Sequence, residues 1–260
     1  MLKSGLQLGF SLIEIMVAVA LMTIIMLGLL AMFYQTQRAM RVGSAQVDVL
    51  GTGDAAIQMM ASELKQIVAA GSLRPNLEAT NAYGPLFWTR NFTVSGSPQA
   101  TYLQELFFIR RDNDDWVGTG YFVEPVTVAG GAGALYRYEL RRPVTRVDAL
   151  DEIYKEFKNP TAKTPIPRLA ERITHLRVFA FDADGNSYYT NNNNLWFADT
   201  NLPSYIDLEL GVIEPKPYDR FKARYDTNTP STAVVALAYL TNQLDRLHLF
   251  RKRIPIRTVQ

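Results

Sequence analysis

One acidic side chain stands at the front of a long apolar run, where a charge is costly. Glu14 closes the segment GFSLIE at residues 9–14, and residues 15–34 carry no charged side chain. A carboxylate inside a membrane segment costs about 2.5–3.5 kcal/mol, so it is tolerated near an interface or beside a cation. If the chain is cut after Gly9, the new α-amine of Phe10 could be that cation in a neighbouring chain. An interfacial acid favoured by the helix dipole is the alternative, and both remain open.

Two short acidic clusters have the oxygen-rich composition of cation ligands. Asp182, Asp184 and Asn186 resemble the opening of a calcium loop, but glycine comes one residue early and no glutamate follows at the twelfth position. Residues 112–115, with the sequence DNDD, could also supply oxygen ligands. Asp, Asn and Gly favour turns on their own account, so both clusters are interpreted first as turns. Asp182, Asp184 and Asn186 are kept as calcium candidates.

Residues suited to catalysis are sparse. His175 and His248 are the chain's two histidines, and neither has a second histidine at the spacing of an HExxH zinc motif. The chain has no Cys, which excludes disulfides and thiolate metal sites. GxSxG is absent, and GGAG at residues 130–133 lacks the ending of a phosphate-binding loop. The sequence therefore predicts neither an enzyme nor a cofactor.

The element that carries Glu14 has the length of a membrane-spanning helix. At about 1.5 Å per residue, residues 15–34 cover the roughly 30 Å hydrocarbon core of a bilayer. A secretory signal peptide would have a shorter apolar core with small residues after it. A buried helix of a soluble protein is the other alternative. Lys3 on one side and Arg38 and Arg41 on the other do not decide the orientation.

The helical pattern continues beyond the apolar run. Apolar residues recur there at helical spacing, which predicts an amphipathic helix that ends between Gly71 and Pro75. The predicted stripe consists of Leu50, Ile57, Met60, Leu64 and Ile67. Gly51 and Gly53 should weaken this helix, each by about 1 kcal/mol relative to Ala.

The rest of the chain has the pattern of a sheet. From about residue 85, short aromatic and β-branched segments separated by turn residues predict an antiparallel meander. Residues 155–168 are predicted as a surface connection. A second group of strands follows, with a hairpin around Asp184-Gly185, then a helix at 231–244 and a last strand. One face of the sheet could lie on the long helix, which gives an α+β fold.

The N-terminal residues resemble a known processing signal. A short basic leader ending in Gly9, then FSLIE at residues 10–14 and a long apolar run, is similar to the class III signal of type IV pilins and type II secretion pseudopilins. The resemblance implies cleavage of the Gly9–Phe10 bond, N-methylation of Phe10 and a role for Glu14 in subunit registration. It also implies an inner-membrane protein whose globular part lies in the periplasm or outside the cell.

The same resemblance implies a domain plan and partners. Residues 1–9 would be the leader, 10–34 the transmembrane or filament-core helix, 35–75 an amphipathic extension and 76–260 the sheet-rich globular domain. The size and the later sequence are similar to large minor members, the J-type pseudopilin and the W-type minor pilin. Expected partners are other pilin or pseudopilin subunits, a prepilin peptidase and the inner membrane. The net charge of +2 gives no sign of nucleic acid.

Two other functions stay open at this point. A single-pass, membrane-anchored periplasmic enzyme or binding module would keep its leader and would carry a site in the sheet domain. An adhesin-like subunit would bind a surface or a glycan through exposed aromatic residues such as Trp88, Trp116 and Trp196, which are predicted instead as core or sheet-face residues. The residues do not separate a pilus from a secretion filament.

Overall fold

The computed structural model describes residues 11–81, 86–90, 99–126, 131–159, 166–188, 194–225 and 230–256. The helices are α1 (Leu12–Leu64), α2 (Ala149–Lys158), α3 (Pro215–Tyr225) and α4 (Pro230–Thr241). The strands are β1 (Pro75–Asn81), β2 (Leu86–Arg90), β3 (Gln99–Thr101), β4 (Gln104–Asp112), β5 (Asp115–Pro125), β6 (Gly133–Pro143), β7 (Arg168–Phe181), β8 (Leu195–Ala198), β9 (Tyr205–Ile213) and β10 (Leu247–Pro255).

The main sheet of the described residues has eight strands in the order β10-β9-β7-β6-β5-β4-β1-β8. Its neighbouring strands are antiparallel, and β4, β5 and β6 form a meander. The meander was predicted to begin at about residue 85, but β2 is not part of it. β2 and β3 form a separate antiparallel pair. A long helix with an antiparallel sheet confirms the predicted α+β fold.

The chain divides into two compact units, Met1–Val47 and Asp48–Gln260. In the first unit, the described part of α1 exposes its large apolar side chains along its whole length; Leu12, Met22 and Met32, for example, are 78%, 76% and 68% exposed. This helix is long and apolar enough to cross a membrane. Apolar side chains in such numbers require lipid or other protein chains around them.

In the second unit, one face of α1 packs on the inner face of the sheet. The buried face consists of Val49, Gly53, Ala56, Ile57, Met60, Ala61 and Leu64. These positions follow the helical period from Val49, which turns Leu50 away by about 100°. Leu50 is 45% exposed, so its predicted place on the buried stripe is wrong, whereas Ile57, Met60 and Leu64 are buried as predicted.

The predicted weak point of the helix is a packing site. α1 is continuous through Gly51 and Gly53. A Cβ at Gly53 would overlap the ring of Phe250 from β10, whereas a Cβ at Gly51 would meet nothing within 4 Å. Gly53 therefore lets the aromatic ring approach the helix backbone, a role that offsets its low helix propensity.

A polar cluster joins the end of α1 to the middle of the sheet. The Tyr121 hydroxyl donates to Glu63 Oε2 at 2.5 Å, and Arg137 Nη2 donates to Glu63 Oε1 at 2.6 Å. Arg137 also pairs with Glu139, which accepts a further hydrogen bond from Arg110 Nη2 at 2.8 Å. Burial and the hydrogen bond to Glu63 raise the pKa of Tyr121. The cluster holds α1 in one position on β5 and β6.

Helix α2 covers the outer face of the sheet with a second core. Ala149, Ile153 and Phe157 are buried at helical spacing, and Ile153 and Phe157 lie on Gly118 and Gly120 of β5. This helix was not predicted, because its last residues were assigned to a surface connection at residues 155–168. The i, i+4, i+8 spacing of these apolar residues was the signal that could have found it.

The end of α1 and the presence of α3 also differ from the predictions. α1 ends at Leu64 instead of between Gly71 and Pro75, because the chain leaves the helix to join β4: Val68 N–H donates to the Ile109 carbonyl at 3.1 Å. α3 was not predicted, although its Tyr218 and Phe221 enter the main core. α4 lies within the helix predicted at residues 231–244, apart from its first residue, and β10 is the predicted last strand.

Candidate processing and assembly site

Glu14 and Ser11 form a reciprocal cap at the start of α1. Ser11 N–H donates to Glu14 Oε2 at 3.0 Å, and Glu14 N–H donates to Ser11 Oγ at 3.3 Å. This is a capping box, in which two backbone donors that the helix leaves unpaired each gain an acceptor. The carboxylate therefore lies in the first turn, where the helix dipole favours a negative charge.

Sequence reasoning singled out Glu14 and missed Ser11. The signal was present, since Ser followed three residues later by Glu before an apolar run is the pattern of a capping box. Gly9 and Phe10, the predicted processing residues, lie outside the described residues. The site that the structure describes is thus the capped helix start and the exposed apolar surface that follows it.

The first residues of the chain match a family model described as the prokaryotic N-terminal methylation motif, over residues 6–30. The chain carries the N-terminal motif of the type IV pilin and pseudopilin family. The motif contains Gly9, Phe10 and Glu14 and extends over much of the apolar run. No curated protein gives a significant match to the chain.

The pilin-type motif has consequences for the class of protein. Members of this motif family are structural filament subunits, and they are membrane-anchored with exposed globular domains. The apolar start of α1 fits such an anchor. The motif also implies processing by a prepilin peptidase and assembly with other pilin subunits.

The calcium candidates lie in a tight turn after β7. Asp182 Oδ1 accepts from Asn186 N–H at 2.8 Å, and Asp182 Oδ2 accepts from Asn186 Nδ2 at 2.9 Å. The hydrogen bond from the Asn186 side chain is the main cause of a lowered pKa for Asp182. Gly185 has a positive φ of 87°. The described residues bring no group of three or more acidic or histidine side chains together here or elsewhere.

In the part of the hairpin that the structure describes, the predicted second strand forms one isolated bridge, and Tyr188 N–H also donates to the Ala180 carbonyl at 2.9 Å. Ser187 forms an isolated bridge with Phe181, and the next described strand is β8. Residues 189–190, the end of the predicted strand, lie outside the described residues.

Both histidines hold structural positions on strands. His175 is buried, and its Nδ1 accepts from Tyr102 N–H at 3.1 Å, which leaves Nε2 to donate to Glu209 Oε2 at 3.2 Å. Glu209 also binds Arg251 Nε at 2.6 Å. His248 Nε2 lies 3.7 Å from Glu214 Oε1. The His175–Glu209 contact connects β7 to β9 inside the fold.

The two tryptophans whose side chains the structure describes lie on different strands. Trp116 on β5 is half-buried and has the Arg111 guanidinium 5.9 Å from its ring centre. Trp196 on the edge strand β8 is 52% exposed and meets Tyr154 edge to face at 6.0 Å. The side chain of Trp88 lies outside the described residues. Trp116 and Tyr154 both pack against the second core beside α2, so Trp196 reaches the same region through Tyr154.

Proposed function

We propose that this chain is a minor pilin or pseudopilin subunit that is stored in the inner membrane, cut after Gly9 and assembled into a filament through α1. The N-terminal methylation motif over residues 6–30 carries the proposal. The exposed apolar surface of the helix supports it, because that surface can pass from lipid to the helices of neighbouring subunits without entering water.

Glu14 would supply specificity to an association that apolar contact alone does not direct. Lipid tails and apolar side chains solvate a helix about equally, so close packing and polar pairs decide which neighbours associate. Cleavage after Gly9 would create an α-amine on Phe10, four residues before Glu14. An ion pair between this amine and Glu14 of an adjacent subunit would remove the cost of the carboxylate in an apolar surrounding.

The size of the globular unit supports a minor role. The unit Asp48–Gln260 is bulky, and a bulky domain is hard to repeat along a closely packed fibre. On this basis we propose that the chain resembles the J-type pseudopilin or the W-type minor pilin. We also propose that the globular unit lies in the periplasm or outside the cell, and that its partners are other pilin-type subunits and the prepilin peptidase.

Processing is tested by the mass of the protein purified from membranes of cells with and without a prepilin peptidase. We expect loss of residues 1–9 and methylation of Phe10 only where the peptidase is present. A protein that still begins with Met1 in the presence of the peptidase contradicts the proposal. It would leave the alternative of a single-pass anchored enzyme or binding module.

The role of Glu14 is tested by two substitutions that the capping box separates. Gln can replace Glu in a capping box, so Glu14→Gln keeps the cap and removes the charge, whereas Glu14→Ala removes both. We expect both variants to insert into the membrane and both to fail to assemble, measured as filament-associated protein after shearing. Assembly of Glu14→Gln at the wild-type level would show that capping, and not charge pairing, is the role of Glu14.

A further inference from the structure

Helix α3 carries an uncompensated cluster of positive charge on its exposed side. Lys216, Arg220 and Lys222 are exposed, and none of the three forms an ion pair with another described residue. Asp219 is the one acid in the sequence of the helix. The helix dipole favours a cation in the last turn, which accounts for the position of Lys222. It does not account for Lys216 or Arg220.

The acids around α3 are already paired with arginines from other elements. Arg168, Glu171 and Arg172 lie at the start of β7, where Ile173 pairs with Val212 at the end of β9, and Glu214 directly precedes α3. The ion pairs are Arg172 with Asp48 at 2.5 Å, Arg168 with Glu171 at 2.5 Å, and Arg246 with Glu214 at 3.3 Å. These neighbouring charges therefore balance one another and leave no acid among them for the cations of α3.

This cluster lies close to the point where the globular unit begins. Arg172 binds Asp48, the first residue of that unit, and the adjacent Ile173 pairs with Val212 of β9, three residues before α3 begins. Only six residues separate Asp48 from Arg41, the second of two arginines that follow the apolar run, so seven Cα–Cα steps join the two. Even a fully extended link of that length reaches at most about 25 Å. The base of the globular unit is thus tethered near any membrane that holds the apolar run.

We infer that the exposed face of α3 binds anionic phospholipid headgroups while the chain is anchored in the membrane. Lysine and arginine close to an anionic membrane surface each contribute about 1 kcal/mol, roughly a fivefold change in occupancy. The short tether adds a high effective concentration of lipid, so a few cations suffice for docking. This inference rests on the membrane-stored stage of the proposed function and needs neither cleavage nor assembly.

Lipid fits the cluster better than nucleic acid does. Non-specific binding to DNA draws on six to ten phosphate contacts, and single strands add aromatic residues on which bases stack. The exposed side of α3 offers three unpaired cations beside Asp219, and the aromatic residues Tyr218 and Phe221 are buried in the core. A tethered anionic surface requires no such footprint.

A single fluorophore on α3 tests the inference in the full-length precursor. The chain has no Cys, so Ala223→Cys, at an exposed position between Lys222 and Arg224, provides one labelling site. The labelled protein is placed in nanodiscs of phosphatidylcholine, with or without one third phosphatidylglycerol, and energy transfer to a headgroup-labelled lipid is measured. We expect stronger transfer in the anionic discs and its loss in 0.5 M salt, which shortens the Debye length to a few ångströms.

Two matched charge variants locate the effect. The α3 variant is Lys216→Gln/Arg220→Gln/Lys222→Gln. The control variant, Lys65→Gln/Arg111→Gln/Lys155→Gln, removes the same charge from exposed cations on other elements. We expect the α3 variant to lower the ratio of docked to free protein by roughly fivefold per cation and the control to leave it unchanged.

Three results would overturn the inference. Equal energy transfer in neutral and anionic discs would show that α3 does not dock on anionic lipid. Equal losses in the two triple variants would show that net charge, and not α3, is responsible. Duplex DNA that changes the signal in neutral discs, in a way that depends on the α3 cations, would assign the surface to nucleic acid. Precursor in which Phe10 is never exposed still docks, so failure here is distinct from failure of filament assembly.

Discussion

Single residues in this chain have roles that their type alone does not predict. Gly53 is unfavourable in a helix interior, yet it provides the place where Phe250 meets the backbone of α1. Ser11 is one of many serines, yet it completes the cap that Glu14 begins. In both cases the partner decides the role. Ser11 finds its partner three residues away, whereas Gly53 finds it on the last strand.

The two glycines of α1 provide a matched pair of substitutions. Gly53→Ala should destabilise the globular unit by about 1–3 kcal/mol, because the added Cβ overlaps the ring of Phe250. Gly51→Ala, at an exposed position with free space around it, should stabilise the helix by up to about 1 kcal/mol. Denaturant unfolding of the full-length protein in detergent, followed by tryptophan fluorescence, measures both. Equal effects of the two substitutions would contradict this account of the packing.

At the scale of elements, charged side chains in the interior decide how α1 lies on the sheet. Glu63 and Arg137 are 12% and 18% exposed, so each is largely withdrawn from water and depends on the other. Arg137 also neutralises Glu139. Five polar side chains from α1, β4, β5 and β6 thus meet in one cluster, which permits one position of the helix on the strands.

Removal of Arg137 should be costly because it leaves two acids without their main partner. We expect Arg137→Met to lower the free energy of unfolding by about 2–4 kcal/mol, since breaking a largely buried ion pair leaves an uncompensated charge. Arg146→Met, which breaks an exposed pair with Glu152, should cost no more than about 1 kcal/mol. The same unfolding assay compares them. Similar losses in the two variants would show that the cluster does not hold the helix.

The same cluster should make the fold sensitive to acid. Burial raises the pKa of Glu139, but the hydrogen bonds from Arg137 and Arg141 outweigh burial and leave the pKa below its usual value. A carboxyl whose pKa is lower in the folded state stabilises the fold above the unfolded pKa of about 4.3 and loses that contribution as the pH falls further. Glu139→Gln should therefore show a shallower loss of stability below about pH 4.5 than the wild type. Identical slopes in urea unfolding from pH 7 to pH 3 would refute this.

At the scale of the whole molecule, the chain combines a unit that needs an apolar surrounding with a unit that has its own core. The described part of Met1–Val47 exposes its apolar surface, while the helix in Asp48–Gln260 buries one face in the main core. This division fits a membrane anchor followed by a globular unit. The pilin-type motif at residues 6–30 agrees with that division.

Membrane extraction tests this division directly. We expect the full-length precursor to stay in the membrane fraction during washes with alkaline carbonate and to leave it in detergent, because about twenty apolar residues insert in a bilayer. A variant with Leu21→Lys and Ile25→Lys should become extractable, since each cation near the centre of the helix costs about 2.5–3.5 kcal/mol. A wild-type protein released by carbonate would contradict a spanning helix.

Features that depend on residues close together in the chain can be predicted from the sequence alone. The apolar length of the anchor, the position of Glu14 at its front, the α+β order and the meander all follow from local period and composition, which nearby residues encode. The predictions for Leu50 and the connection at residues 155–168 were wrong because the choice of buried face and the docking of α2 depend on distant strands. Only the tertiary structure brought Glu63 to Arg137, 74 residues away, and brought Asp48 to Arg172, beside the strand end that leads into α3. Such contacts form only when the chain closes long loops against a packed core, and no short stretch of sequence contains both partners.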